Sequence, residues 1–349
     1  MFRQVRSILP PDPQYPHDLV KLGYFINNDG YIKSIENPKQ DFNFFINRNE
    51  RYNLMQREAM NSCIRNIVID RLTALHVPIV RLPIGATTSQ RHVPVFVSEA
   101  LSTKKRVIVV FNESVQDLGI WAYRDIGNDG RGGIDRGSAV DFVKKVQSQP
   151  SDSTNNDAPG IIIANLGQLL WWRKGKQPVS FTTWDALPRK SAVHGPYRID
   201  DVKNRVPENE DWEKHTAYVF EQVVGKLAAK DAKIDLIGLS DGGGEVVKYL
   251  NTHWSRWSSR IDAIAFGNPL HAKHEMTNPD FVKFLSERGR AYLCCPEPAG
   301  TPQPDFSEDF GCPAIASGES EYSECVMAAA YPMMCDFFQE VAMGRVQTR

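Results

Sequence analysis

The stretch Ile234-Asp235-Leu236-Ile237-Gly238-Leu239-Ser240-Asp241-Gly242-Gly243-Gly244 constrains this chain more than any other. A short apolar run leads into Gly-x-Ser-x-Gly, and the residues after it, from about Gly243 to Leu250, are patterned as a helix. A turn that tight between strand and helix leaves no room for side chains at Gly238 and Gly242. It also forces the intervening serine into a strained backbone that lifts its hydroxyl to the carboxyl end of a sheet, facing a helix N-terminus.

The rest of the chain supplies such a sheet. Val107–Phe111, Ile161–Ala164, Ile234–Ile237, Ile261–Phe266 and Ala291–Cys294 are short, strongly apolar runs of the kind buried on both faces of a parallel sheet. Helical patterns over Ser138–Gln147, Trp212–Ala229, Gly243–Leu250 and Pro279–Arg288 alternate with them, and a last helix is predicted over Glu324–Met343. Strand–helix alternation specifies a doubly wound, mostly parallel sheet with helices on both faces. With the serine elbow, the fold class is α/β, of the α/β-hydrolase-like kind.

Ahead of the sheet, Pro10, Pro11, Pro13 and Pro16 rule out a helix, so residues 1–20 read as an N-terminal arm and 21–349 as a single domain. Tyr24–Ile26 and Tyr31–Ile32 flank Asn27-Asn28-Asp29-Gly30, a hairpin signal. Apolar residues at helical spacing from Asn49 to about Leu75 predict a long amphipathic helix; Arg51, Arg57, Arg65 and Arg71 among its polar positions read as a solvated basic face in preference to a docking face. Residues 148–159 are a polar, flexible linker. Residues 165–207 form an insertion too long for a plain connection; it carries Trp171, Trp172, Trp184, His194 and Tyr197, and serves either as a lid or as a loop covering the sheet edge.

Net charge is −1, which removes any overall field for nucleic acid or acidic lipid. The local clusters Lys104-Lys105-Arg106, Arg173-Lys174-Gly175-Lys176 and Arg189-Lys190 read as solvated loop charges, so direct nucleic-acid binding is expected to be weak or indirect. No apolar run is long enough to span a bilayer, and no secretory signal is present at the start, which points to an intracellular protein, nuclear or cytoplasmic. Cys63, Cys294, Cys295, Cys312, Cys325 and Cys335 match neither zinc-knuckle nor disulfide-scaffold spacing and read as buried free thiols; no metal or cofactor is expected.

Serine chemistry at the elbow needs a histidine to take the hydroxyl proton and a carboxylate to orient it, in chain order Ser, Asp or Glu, His. Asp305, Glu308 and Asp309 fall where the acid should arise. No histidine occurs from Glu275 to Arg349, and the segment after the last strand offers Tyr322 instead. A neutral phenol, titrating near ~10, is a poor acceptor at neutral pH. The turn after Phe111 is Asn112-Glu113-Ser114, which sets a carboxylate where a hydrolase presents oxyanion donors. His271 and His274, after the strand ending at Phe266, are the remaining candidate bases, with His194 a weaker one. His271 alternatively hydrogen-bonds the elbow region structurally.

The segments Leu22-Gly23-Tyr24-Phe25-Ile26-Asn27 with Asp29-Gly30, Phe42-Asn43-Phe44-Phe45, Asn49-Glu50-Arg51-Tyr52-Asn53, and later Gly311-Cys312-Pro313, resemble the argonaute-binding protein 2 domain family. That family includes the C-terminal domains of fungal class II histone deacetylases and animal cotranscriptional regulators. The resemblance implies an α/β-hydrolase-like fold used in small-RNA silencing and heterochromatin, partnering argonaute and a second argonaute-binding subunit. Relatives often carry a histidine-glutamate pair where this chain has Tyr322-Ser323, and aspartate-serine-x-histidine where it has Asn268-Pro269-Leu270-His271. The length, with no deacetylase segment, favours a silencing-complex subunit.

The resulting expectation is a non-catalytic, protein-binding scaffold with a vestigial elbow at Gly238, Ser240, Asp241 and Gly242. Two other classes compete with it. One is a serine hydrolase using Ser240 with His271 or His274. The other is a histone- or nucleic-acid-binding module, which needs a contiguous basic surface along Arg51–Arg71 or around Arg173.

Overall fold

A computed structural model describes residues 9–127, 130–151 and 157–345; residues 152–156 of the 148–159 linker lie outside them. The strands are β1 (Tyr24–Ile26), β2 (Ile32–Ser34), β3 (Ile79–Leu82), β4 (Val93–Val97), β5 (Arg106–Phe111), β6 (Gly160–Ile163), β7 (Leu170–Trp172), β8 (Gln177–Val179), β9 (Lys233–Leu239), β10 (Ile261–Gly267), β11 (Gly289–Leu293) and β12 (Ala314–Ala316). The helices are α1 (Glu50–Ala74), α2 (Tyr123–Gly127), α3 (Gly133–Arg136), α4 (Ala139–Gln147), α5 (Phe181–Asp185), α6 (Trp212–Tyr218), α7 (Gly225–Leu227), α8 (Ser240–Trp257), α9 (Pro279–Arg288), α10 (Pro304–Phe310) and α11 (Val326–Ala342). A π-helical segment, Val219–Val224, joins α6 to α7.

Eight strands form one sheet in the order β12-β11-β10-β9-β5-β6-β4-β3. From β12 to β6 every neighbour is parallel, while β4 runs antiparallel to both β6 and β3. This is the strand order of an α/β-hydrolase, and it puts the elbow at the end of the central strand β9. Alternate residues of each strand feed two cores. Val107, Val109, Phe111, Ile264 and Phe266 pack with Phe220, Val246 and Phe281 on one face. Ile108, Val110, Ala263 and Ala265 pack with Val68, Phe142 and Phe338, from α1, α4 and α11, on the other. Burial on both faces is what made these runs continuously apolar in sequence.

The β1–β2 hairpin forms over Asn27–Gly30, with the Asn27 side chain accepting the Asp29 and Tyr31 N–H groups. Helix α1 starts as its cap dictates: Asn49 Oδ1 accepts the Arg51 N–H. The expected solvated basic face on α1 is not what forms. Arg51 is buried against Asp12, Arg65 pairs with Glu58 and Asp117, and Arg71 pairs with Asp135. Burial of α1 on most sides compels this, because a buried guanidinium needs an anion. The contiguous basic surface that a nucleic-acid module needs is therefore missing along Arg51–Arg71.

The N-terminal arm reaches both this helix and the insertion: Asp12 pairs with Arg51 at 2.8 Å, and Pro10 O accepts the Ala192 N–H. The insertion folds into the β7–β8 hairpin and α5 around a small core of Leu170, Val179, Trp184 and Leu187. It is fastened to α1 by Arg51, which donates to the Asp185 and Leu187 carbonyls, and by Thr183 Oγ1, which donates to Glu58.

All six cysteines are free thiols; Cys294 and Cys295 are partly exposed and the other four buried. Among the described residues, no helix is long and apolar enough to cross a membrane, and no cluster of His, Cys, Asp and Glu could hold a metal ion.

Candidate functional site: the serine elbow

The elbow takes the backbone its sequence demands. Ser240 has φ +44°, and a Cβ on Gly242 would stand 2.5 Å from both the Phe111 and Asn112 carbonyl oxygens. A Cβ on Gly238 would stand 2.4 Å from Gly243 Cα. Helix α8 begins at Ser240 itself, three residues earlier than the sequence pattern suggests. So β5 and β9 meet the helix start with no space for side chains between them.

The loop after β5 then closes over the serine. Ser240 Oγ donates to Glu113 Oε1 at 2.7 Å. Burial holds the Glu113 carboxyl above its ordinary range, against the lowering effect of the Ser240 hydrogen bond; Asp241 and Glu324 raise it further. Asp241 faces the same loop: its carboxylate accepts the Ser114 N–H at 3.0 Å, the Ser114 hydroxyl and the Gly242 N–H at 3.0 Å. A hydrolase aims N–H donors of this loop at the developing oxyanion. Here the Ser114 donor is occupied by a fixed carboxylate from within the chain. The loop itself is anchored by Asn112, which donates to the Ile120 carbonyl, and by Asp117, which accepts from Arg65 and from the Tyr123 hydroxyl.

The other residues singled out in sequence do not converge on Ser240. His271 is buried between Phe266 and Phe310, with ring centroids 4.5 and 5.8 Å away, and its Nε2 donates to the Phe310 carbonyl at 3.1 Å. Among the described residues Nδ1 is buried without a partner, and burial lowers the ring's pKa, so the imidazole is a neutral tie between the end of β10 and α10. His274 is exposed in a short turn, and His194 bonds Ser191 within the insertion. Asp305, Glu308 and Asp309 lie exposed on α10.

Tyr322 follows β12, where the sequence places it. Its ring sits under the Arg124 guanidinium at 3.8 Å and near that of Arg131 at 5.0 Å. Its N–H donates to Glu319, which Arg131 also pairs with. The Tyr322 ring is thus bracketed by two arginines.

Two contributors escaped the sequence reading. In the sequence Asp241 reads only as part of the motif, although an acid beside Ser240 and a hydroxyl at Ser114 are both there. His215, fully buried, donates through Nδ1 to Asn209 and accepts the Asn165 N–H through Nε2, fixing α6 to the end of β6. Nothing in its local sequence signalled burial.

Among solved structures the chain is similar to the esterase LipW from Mycobacterium marinum, at 12% identity over 63% of this chain and 53% of that one, TM-score 0.31. It is also similar to LpqC, a poly(3-hydroxybutyrate) depolymerase from Bordetella parapertussis, at 12% identity over 79% and 80%, TM-score 0.30. A third is a thermostable esterase from Pseudomonas putida, at 9% identity over 85% and 92%, TM-score 0.37. The chain spans about half the length of LipW. At these scores the fold assignment rests on strand order, not on the likenesses. No curated protein sequence matches the chain. The Arb2 domain family matches residues 15–299, from the arm through the loop after β11 and across the whole elbow, and the chain belongs to that family.

Proposed function

We propose that this chain is a non-catalytic, protein-binding subunit of small-RNA-directed heterochromatin silencing, with argonaute and a second argonaute-binding subunit as its partners and the nucleus or cytoplasm as its place of work. The observation that carries the non-catalytic part is the Ser240–Glu113 hydrogen bond at 2.7 Å. The serine hydroxyl is turned toward a carboxyl, not an imidazole. Family membership supports the silencing role. The loop N–H of Ser114 is taken by Asp241 and the Tyr322 ring is bracketed by arginines, and both support the loss of hydrolysis, because an acyl-transfer site needs a free loop donor and a base.

Affinity purification of the full chain from nuclear extract tests it. Recovery of argonaute with its associated subunit is expected, and so is absence of labelling by a fluorophosphonate probe. Labelling abolished by Ser240→Ala would replace this reading with a serine hydrolase, and failure to recover argonaute would remove the silencing role.

A further inference from the structure

A cleft of about 770 Å³ opens beside the elbow, between the first half of α1, the loop after β5 and the turn at α2. Glu113 lines it, with its pairing to Ser240 behind. From α1, Arg57 and Asn61 line the same cleft one helical turn apart. Arg51, Arg65 and Arg71 on this helix each have a carboxylate partner, as described above. Arg57 has none among the described residues, and its Nε is buried and unbonded. Asn61 is 7% exposed, and its carboxamide likewise has no hydrogen-bond partner among them. A half-buried guanidinium beside an idle carboxamide is a fork of donors waiting for a carboxylate.

The mouth of the cleft is apolar. Phe45 is 61% exposed and Val115 70%, with Phe44 and Ile46 beside them. This exposure is built in, because the loop holding the phenylalanines is clamped by Asn53. Its Oδ1 accepts the Ile46 and Asn47 N–H groups, and its Nδ2 donates to the Asn47 carbonyl. Phe44 is further wedged against Phe42 and Gly127. A small carboxylate inside the cleft would satisfy Arg57 and leave Phe45 and Val115 bare. A longer chain would satisfy both.

We infer that this cleft is the seat of a partner protein's extended segment, in which an acidic side chain binds Arg57 and Asn61 and an adjacent bulky apolar side chain covers Phe45 and Val115. The inference rests on the protein-binding reading and gives it a surface. Four carboxylates also line the cleft, and three are already engaged: Glu113 accepts from Ser240, Asp117 pairs with Arg65 and Glu324 with Arg124, while Glu50 is exposed to solvent.

Selection of phage-displayed random peptides on the purified full chain tests it. Enriched peptides are expected to share an Asp or Glu next to Phe, Leu, Ile or Trp. A fluorescent copy of the most enriched peptide is expected to lose about tenfold or more in affinity on Arg57→Ala. Arg57→Lys, which keeps the charge and loses the fork, should fall between, and the peptide's own Glu→Gln or Asp→Asn change should match Arg57→Ala. Val115→Ser should weaken binding and Lys190→Ala should not. No enrichment, a consensus lacking an acid, or full affinity in both Arg57 variants would overturn the assignment. So would competition by phenylpropionate as strong as by the peptide, which would make the cleft a small-carboxylate pocket. Argonaute recovered equally by wild type and Arg57→Ala, with no peptide enriched, fails the cleft and leaves the scaffold reading standing. Peptides enriched as described, with no argonaute recovered, does the reverse.

Discussion

Ser240 Oγ and Glu113 Oε1 lie 2.7 Å apart at the carboxyl end of the central strands, and the hydroxyl donates to the carboxyl. The pairing converts a nucleophile elbow into a joint between β5 and α8. A second bridge runs the other way, from Ser114 to Asp241, so the two segments exchange a serine and an acid in each direction. The backbone strain at Ser240 is retained because the close approach of Gly242 to Phe111 and Asn112 requires it, whatever the serine does.

The raised Glu113 carboxyl makes a prediction about pH. A carboxyl held above its unfolded value binds its proton in the folded state over an interval where the unfolded chain has lost it. Stability therefore falls as pH rises from the usual value of 4.5 through the raised one. Glu113→Gln keeps an acceptor for Ser240 and removes the titration. Thermal unfolding from pH 4 upward, about the range in which glutamates titrate, should show the wild type losing ground to Glu113→Gln as pH increases. Parallel curves would mean that Glu113 titrates alike in the folded and unfolded chains.

Two glycines two positions apart should respond oppositely to alanine. Gly242→Ala drives a methyl to 2.5 Å from two carbonyl oxygens on a central strand end, and is expected to cost about 3 kcal/mol or prevent folding. Gly244, within α8, has nothing within 4 Å of where its Cβ would be. Gly244→Ala should stabilise by about 0.5–1 kcal/mol through helix propensity and a less flexible unfolded chain. Urea unfolding of the two variants measures both.

Much of this architecture could be read from the sequence, and the reasons are local. β5, β6, β9, β10 and β11 are buried on both faces and so appear as unbroken apolar runs, while Gly238 and Gly242 mark the elbow through a steric need that few other residues meet. The antiparallel pair β3–β4 was not foreseen: β4 carries Pro94, and β3 is the edge strand and only partly buried. Nor was β12, three residues long, or the hairpin in the insertion, which includes Pro178. The arginines of α1 looked like a solvent face because their anions, Asp12, Asp117 and Asp135, come from distant parts of the chain. Glu113 was legible as an obstacle to an oxyanion; that it would bond Ser240 directly depended on how β5 and β9 end beside each other.

The Asp12–Arg51 pair should matter more than its place beside the chain terminus suggests. Both side chains are almost fully buried, and Arg51 also serves the Asp185 and Leu187 carbonyls. Removing the guanidinium takes the charged partner from a buried carboxylate that then keeps only the Arg189 N–H, and leaves the Leu187 carbonyl without its donor, while the Asp185 carbonyl still accepts from Arg189. Arg51→Ala is expected to cost about 3 kcal/mol, and Asp12→Asn less, since an amide still accepts from Arg51. The arm, α1 and the insertion meet at this one residue. Limited proteolysis of Arg51→Ala should therefore cut first within residues 165–207, and a variant as resistant as the wild type would show that the insertion holds its place without it.

His215 makes the fold lose stability in mild acid. It is fully buried, bonded at both ring nitrogens in the neutral state, and burial pushes its pKa down to about 3 from the ordinary 6.5. An imidazole with a depressed folded pKa takes up its proton only in the unfolded chain between those two values. Its contribution is intact above about pH 6.5 and is lost as pH falls toward 3. From pH 6.5 to pH 5 the loss amounts to about 2 kcal/mol, from ~1.4 kcal/mol per unit once the unfolded imidazole is charged. Urea unfolding at the two pH values measures it in the wild type. His215→Gln, which offers a donor and an acceptor but no titration, should be less stable than wild type at neutral pH and should lose less stability between the two. An equal acid loss in both proteins would assign the effect to other groups.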